Sequence, residues 1–306
     1  MELSSILHIT PENLADYQSD LLIVSLSHES RCTSIAQKTE GLSGRKLALF
    51  SKDHPRDNAY SRNLDYFREK GFELVQVHGD KIQLDEIFAS FGSQKINIIL
   101  DCTSMSQQWY YQILTWFGDN EDLLNVHIRI AYSMAAYVEE GAPPKVKKIK
   151  GFRKVKSNLK KTKHALILGL GQEPNVSEMI CKIEKPDLLY LFYADPPVEK
   201  KFVEKVFINN HSVIHSTPIR NLVSYPIHNG QDIYHKLIDV ILPLRNEYTI
   251  TLIPQGPKVF SIASMLVQMG YPDTVISYPV FKRAQVQDRL ACGEPVVLDI
   301  RMEGEE

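Results

Sequence analysis

The sequence has little cysteine. Four residues, Cys32, Cys102, Cys181 and Cys292, are spread over 306 positions without any Cys-x-x-Cys pair. This spacing argues against a disulfide framework and against a cysteine-based zinc cluster. The chain also lacks an apolar run near the ~20 residues of a membrane span, and no basic-then-apolar leader opens it. We therefore expect a cytoplasmic protein that does not enter a membrane.

The sequence also lacks a strong excess of either charge. Its formal net charge is −2, and 24% charged and 43% hydrophobic residues are ordinary for a globular protein. Positive charge is uneven, however, because segment 145–163 holds ten Lys or Arg residues and no acid. This segment is either a solvated linker or an electropositive strap that faces an anionic ligand or a nucleic-acid backbone.

Apolar strand patterns alternate with helical patterns in both halves of the chain. Strands are expected at 20–27, 46–51, 72–78, 96–101, 125–132, 165–169, 187–193, 212–217, 249–253, 275–278 and 296–300. Helical patterns lie between most of them, including an amphipathic helix expected at 58–70. The alternation predicts an α/β protein with two Rossmann-like, mostly parallel sheets. We expect an N-terminal domain at 1–144, a basic linker at 145–163 and a C-terminal domain at 164–306.

Polar turns follow several predicted strands, at the sheet edge where ligands of open parallel sheets collect. The turn Gln255-Gly-Pro-Lys258 is the strongest candidate. Gly256 permits close backbone approach, and Lys258 stands in a first helical turn, where a cation opposes the helix dipole. Lys258 is therefore a candidate ligand for an anion, the alternative being a lysine that only covers the turn. Gly169-Leu-Gly171 also follows a strand but lacks the third glycine of a dinucleotide fingerprint, and no P-loop is present.

Two further turns lie in the N-terminal half. Asp101, Thr103 and Ser104 follow a strand, where the carboxylate either caps the next helix or binds ribose or base while the hydroxyls bind phosphate. The second turn, Ser27–Cys32, holds candidates for acid–base or nucleophilic chemistry, namely His28, Glu29, Arg31 and Cys32. Alternatively, Glu29 and Arg31 simply pair, and Cys32 is a core residue. We expect no cofactor, and the histidines lack the spacing of a metal site.

Two of these turns resemble motifs of the CRISPR-associated Rossmann-fold (CARF) and SAVED-like sensors. Gln255-Gly-Pro-Lys258 is similar to their Gly-Gly-Thr-Lys turn, with Pro257 in place of the threonine, and Asp101-Cys-Thr-Ser-Met105 is similar to their Asp-x-Thr turns. The resemblance implies a sensor in bacterial defence that binds a nucleotide-like anion, such as a cyclic oligonucleotide. Gly256 and Lys258 would then contact phosphate, and Asp101, Thr103 and Ser104 would form the other half of the site. A protein effector or a second copy of the chain would be the partner.

Two other functions stay open at this point. One is an enzyme that acts on a nucleotide or nucleoside, with the turn Ser27–Cys32 as its active site. The other is a protein-interaction module without a small ligand, whose strand-end turns are only structural. All three functions use the same scaffold, so composition and spacing do not separate them.

Overall fold

The computed structural model describes residues 1–52, 56–79, 81–89, 91, 95–120, 123–139, 145–153, 161–281 and 287–304. Its strands are β1 (Glu2–Ile9), β2 (Leu21–Ser25), β3 (Arg45–Phe50), β4 (Glu73–Gln76), β5 (Ile96–Asp101), β6 (Asn125–Tyr132), β7 (Val146–Gly151), β8 (Lys163–Gly169), β9 (Leu188–Ala194), β10 (Leu222–Tyr225), β11 (Tyr248–Ile253), β12 (Val275–Phe281) and β13 (Val296–Glu303). Its helices are α1 (Ser34–Lys38), α2 (Asn58–Glu69), α3 (Leu84–Phe88), α4 (Gln107–Asp119), α5 (Val176–Glu184), α6 (Lys200–Asn209), α7 (His211–Ser216), α8 (Gly230–Leu244) and α9 (Lys258–Gly270).

The first sheet has the order β1-β13-β6-β5-β2-β3-β4 within the described residues. Neighbouring strands are parallel from β4 to β6, whereas β13 is antiparallel to both β6 and β1. When the five parallel strands are numbered in chain order, they lie across the sheet from β4 to β6 in the order 3-2-1-4-5. This is the order of a Rossmann sheet. The strand order reverses between β2 and β5, and ligands of such sheets bind at this reversal.

The second sheet repeats this arrangement with the order β10-β9-β8-β11-β12-β7. Its strands are parallel from β10 to β12, and β7 is antiparallel to β12. The reversal here lies between β8 and β11. The prediction of two Rossmann-like, mostly parallel sheets is therefore confirmed.

Buried apolar residues on the central strands hold each sheet against its helices. Every position of β2 is buried, as expected for a parallel strand that is covered on both faces. Leu22 and Val24 of this strand belong to one core cluster with Phe67 of α2. In the second sheet, Leu168 of β8 belongs to a cluster with Ile180 of α5.

The chain is divided differently from the expected boundaries at 144 and 164. The first unit comprises Met1–Ala136 together with Val286–Glu306, and the second unit comprises Tyr137–Gln285. Strand β13, which the sequence suggested for the C-terminal domain, pairs with β6 and β1 of the first sheet. The backbone of β13 pairs with strands that are far away in the sequence. The order of elements along the chain therefore does not show which sheet it joins.

The basic segment 145–163 also differs from the expected linker, because it contains strand β7. Only Val146 and Ile149 of this strand pack against the core of the second unit, while its lysines are exposed. An edge strand needs few apolar side chains. The lysine-rich sequence of β7 therefore lacks the apolar pattern that predicts a strand. Residues 154–160 of the predicted linker lie outside the described residues.

The strand predicted at 212–217 is wrong, because His211–Ser216 forms helix α7. The β-branched Val213 and Ile214 favoured a strand, yet Val213 is buried as a helical residue in the second core. The hydroxyl groups of Ser216 and Thr217 donate to the carbonyl oxygen of Val213 and close this short helix. The third parallel strand of this sheet is β10 instead. No described helix has both the length and the apolar character that a bilayer crossing requires.

Candidate functional site

The two polar turns of the first unit share one carboxylate. The side chain of Arg31 donates from Nε to Oε2 of Glu29 at 2.9 Å, and Ser104 donates from Oγ to the same oxygen at 3.1 Å. The turns follow β2 and β5, which are neighbours at the reversal of the first sheet. The topology therefore brings together two groups that stand far apart in the sequence.

Arg31 is a buried, fixed cation at this point of the first unit. Its relative exposure is 5%, its Nη1 donates to the carbonyl oxygen of Ser133 at 2.7 Å, and its guanidinium lies 5.7 Å from the ring centre of Tyr132. Burial disfavours the charged form, but Tyr132 and Glu29 outweigh it and raise the pKa of Arg31. Arg31 therefore anchors Glu29, whose side chain keeps 16% exposure. The simple pairing of these two residues is the arrangement found.

Asn63 of α2 fixes the turn after β2 through two hydrogen bonds. Its Nδ2 donates to the carbonyl oxygens of Ser27 and Glu29, both at 2.9 Å. The hydroxyl group of Ser27 accepts a bond from the amide of Glu29 at 3.0 Å. Sequence reasoning missed Asn63. The sequence pattern that could have indicated Asn63 is a polar residue on the apolar face of an amphipathic helix.

The C-terminal segment closes this turn from another side. The amide and hydroxyl of Ser30 donate to the two carboxylate oxygens of Asp288 at 2.7 and 2.6 Å, and the amide of Arg31 donates to the carbonyl oxygen of Arg289. Partial burial opposes the ionised form of Asp288, but the two bonds from Ser30 and the nearby His28 lower the pKa of its carboxyl group. No local sequence pattern could have indicated a clamp between residues 258 positions apart.

Asp101 and Thr103 shape the turn after β5 from inside the protein. Asp101 is only 1% exposed, and its Oδ1 accepts from the amide of Thr103 at 2.8 Å. The hydroxyl group of Thr103, which is fully buried, accepts from the amide of Ser133 at 2.9 Å. The cap of the next helix, a role considered for Asp101, belongs to Ser106. Ser104 is half-buried and lies nearer the surface.

Cys32 lies in the hydrophobic core of the first unit. Its side chain is fully buried, and its Sγ lies 3.8 Å from the carbonyl oxygen of Ser27. Burial raises the pKa of the thiol to about 12. This raised pKa disfavours the thiolate, which is the reactive form of a cysteine side chain.

A cavity of about 310 Å³ lies beside α2 in the first unit, at the carboxyl ends of β2 and β3. Sequence reasoning missed it, although Tyr60, Leu64 and Arg68 recur at the four-residue spacing of one face of α2. Burial raises the pKa of Tyr60, while Arg56 and Arg68, which line the same cavity, act in the opposite direction. The cavity is lined by Leu26, Phe50, Arg56, Tyr60, Ser61, Leu64, Arg68 and Leu74.

The second unit brings its two glycine-containing turns into close backbone contact. A Cβ atom added to Gly256 would lie 2.5 Å from the carbonyl oxygen of Leu170, and one added to Gly169 would lie 2.5 Å from that of Gln255. The backbone of Gly256 also has φ +87°, which favours glycine. The turns follow β8 and β11, which are neighbours at the reversal of the second sheet. Only glycine permits this approach.

Helix α9 begins at this contact with Lys258 as its first residue. Its N-cap residue is Pro257, which provides no side-chain cap, and no acidic residue lies in the first turn. A 13-residue helix therefore begins at this edge with its first amide groups and a lysine residue. Lys258 is half-buried, and Glu173 packs its carboxylate against Gly171 in the adjoining turn. In the described part of the chain, no group of three or more His, Cys, Asp or Glu residues is arranged to hold a metal ion.

Comparison with known proteins adds little to this geometry. No protein-family model matches the chain, and no curated protein matches it. One solved structure to which the chain is similar is the crystal structure of the cytoplasmic domain of a prokaryotic cation chloride cotransporter. The match covers 86% of this chain and 96% of that chain, at 8% identity and a TM-score of 0.26. A TM-score this low supports no conclusion about this chain.

Proposed function

We propose that this protein binds a nucleotide-like anionic ligand at the carboxyl ends of its sheet strands and acts as a cytoplasmic sensor or regulatory subunit. The observation that carries the proposal is the contact between the turns at Gly169–Gly171 and Gln255–Lys258. It combines a glycine backbone, an uncapped helix start and a lysine at the reversal of a Rossmann-like sheet. Phosphate groups bind where these three features coincide.

In the second unit, each residue of the turn has a distinct role in this proposal. Gly256 is exposed and allows a phosphate group to approach the backbone closely. Lys258 and the first amides of α9 neutralise its charge. The carboxylate of Glu173 provides an acceptor for a sugar hydroxyl on the same edge.

The first unit offers a second candidate position for binding a nucleotide-like ligand. Ser104 and Glu29 present polar groups at its own reversal, and the buried Asp101 and Thr103 hold the turn that carries Ser104. The arginine-lined cavity beside α2 adds positive charge and an apolar floor that suits a base or another planar group.

The ligand class that we favour is a cyclic or short linear oligonucleotide that signals in bacterial defence. The support is the resemblance of Gln255-Gly-Pro-Lys258 to the phosphate-binding turn of the CARF and SAVED-like sensors. In that case ligand binding would be passed to a protein effector or to a second copy of the chain.

Calorimetry with the full chain tests the proposal. Mononucleotides and linear and cyclic oligonucleotides are titrated into the wild type, into Lys258→Gln and into the control Lys182→Gln, which removes an exposed lysine of α5. We expect micromolar binding of at least one ligand, a loss of about tenfold or more in Lys258→Gln and no change in the control. Absence of binding by the whole panel at tens of micromolar would contradict the proposal.

A nucleotide-processing enzyme is the second candidate function. The observation that favours it is the fixed carboxylate of Glu29, held by Arg31 and Ser104 beside His28 and still partly exposed. In this case Glu29→Gln abolishes turnover of the bound nucleotide and leaves its affinity mostly intact. Unchanged product formation by Glu29→Gln would exclude Glu29 as the acid–base group.

A further inference from the structure

Strand β7 is an edge strand of the second sheet, and its exposed residues are lysines. It reads Val-Lys-Lys-Ile-Lys-Gly, and Lys147, Lys148 and Lys150 are exposed while Val146 is buried. No ion pair among the described residues neutralises any of these three lysines. The described stretch 145–153 contains five basic residues and no acid. Among the described residues, the edge therefore carries a concentration of positive charge.

The pairing of β7 with β12 places aromatic rings among these lysines. Lys150 lies opposite Tyr278, and Lys148 lies opposite Val280. Residues directly opposite in a ladder share a face, and Lys148 and Lys150, two positions apart, share that face at roughly 6.6 Å along the strand. The ring of Tyr278 packs on Phe152, with ring centres 4.5 Å apart and planes at 41°. Both rings are half-exposed.

A register irregularity explains how one short strand serves both the core and this surface. The pairing shifts between Val280 and Phe281, where Lys147 is the additional residue on β7. This shift lets Val146 and Ile149, three positions apart, both pack against the core. The lysines between and after them are left at the surface. Such bulges are common at sheet edges, where they redirect side chains.

We propose that this surface, the β7 edge (Lys147, Lys148, Lys150, Phe152 and Tyr278), binds single-stranded nucleic acid. Lysines in a row neutralise successive backbone phosphates, and exposed aromatic rings stack on unpaired bases without regard to sequence. A duplex offers the same phosphates but keeps its bases stacked inside. The occupant that uses both the charge and the rings is therefore a single strand.

Lysines on an edge strand also oppose pairing between copies of a sheet. That role requires only the charge of the lysines and does not involve the Phe152–Tyr278 ring pair. The binding of an acidic peptide would likewise depend on the lysines and not on the rings. Removal of the lysines and removal of a ring therefore have different expected effects, and this difference separates the three explanations.

Fluorescence anisotropy with the full chain tests the proposal. The probes are a labelled oligo-dT, the matching oligo-U and a duplex, each of about 12 nucleotides or base pairs, at roughly 0.05–0.3 M salt. One variant, Lys148→Gln/Lys150→Gln, removes two charges from the edge, and Tyr278→Leu removes a ring. The control Lys52→Gln/Lys81→Gln removes two exposed lysines from the first unit.

We expect single strands to bind more tightly than the duplex. Loss of the two edge lysines lowers the slope of log affinity against log salt by about 1.4 and weakens binding on the order of 20-fold at 0.1 M salt. Tyr278→Leu weakens binding roughly tenfold without a change of slope, and Phe152→Leu repeats this result if Tyr278→Leu folds poorly. The control variant binds like the wild type.

Three results overturn the proposal. The first is that single strands do not bind at about 100 μM protein. The second is that the duplex binds as tightly as a single strand and neither ring variant changes the affinity. The third is that the control variant loses as much affinity as the edge-lysine variant. In the same assay the two edge-lysine substitutions lower oligo-dT affinity by the same factor in the Lys258→Gln background as in the wild type. The β7 edge and the proposed ligand site are thereby tested independently.

Discussion

Ser104 donates a hydrogen bond to the carboxylate oxygen of Glu29 that Arg31 also binds, although 75 residues separate Ser104 from Glu29. This shared oxygen joins the ends of β2 and β5 at the reversal of the first sheet. We therefore expect the stability of the first unit to depend on this charge pair.

Replacement of Arg31 by Met leaves the carboxylate of Glu29 largely buried without its cation. We expect a loss of about 2–4 kcal/mol in the free energy of unfolding, measured by urea denaturation, because breaking a buried pair exposes the desolvation cost of the remaining charge. The control is Lys38→Met, which breaks the exposed pair with Glu294 in the same unit and costs less than about 1 kcal/mol. Similar losses in both variants would show that the buried pair has no special role.

Gly256→Ala tests the close contact of the two turns in the second unit. We expect a loss of about 1–3 kcal/mol, because the residue has positive φ and its new Cβ would lie 2.5 Å from the carbonyl oxygen of Leu170. Gly41 also has positive φ, but no atom lies within 4 Å of its Cβ position. Gly41→Ala therefore measures the conformational cost alone. A loss in Gly256→Ala no larger than this control would argue against a tight approach.

The pH dependence of unfolding tests the network around Asp299. Burial opposes ionisation of this carboxyl group, but bonds from His127 and Arg129 outweigh it and hold its pKa below the usual value. A folded-state pKa below the unfolded value of about 3.9 adds stability above that pH, and this stability is lost as the pH falls through the folded-state pKa.

Asp299→Asn should therefore be less stable than the wild type near neutral pH and lose less stability on acidification. Chemical denaturation from about pH 7 down to pH 3 measures both quantities. Asp16→Asn, which changes an exposed carboxylate of the same unit, should follow the wild-type curve. Parallel curves for the wild type and Asp299→Asn would contradict the prediction.

Thiol labelling tests the assignment of Cys32 to the core. At mildly alkaline pH we expect native Cys32 to resist alkylation, since its thiol is buried and its pKa is raised to about 12. The half-buried Cys292 should react sooner, and mass spectrometry of digests separates the two sites. Rapid modification of Cys32 in the folded protein would restore it as a candidate nucleophile.

Local pattern predicted most elements of this fold. The strand predicted at 125–132 is β6 without any change of bounds, and the helix predicted at 58–70 is α2 to within a residue. Both rest on period-2 or period-3.6 spacing of apolar residues, which neighbouring positions encode directly. The errors at α7 and β7 arose where the local pattern was misleading, because β-branched residues entered a helix and lysines entered an edge strand.

The sequence by itself determined the two α/β sheets and the polar turns at their strand ends, because apolar periodicity and turn residues act over a few positions. The tertiary structure alone decided that β13 returns to the first sheet, that Asp288 clamps Ser30, and that Tyr278 joins the lysines of β7. These relations depend on backbone ladders between distant segments. A residue's partner across a ladder is set by register, and register is a property of the assembled sheet.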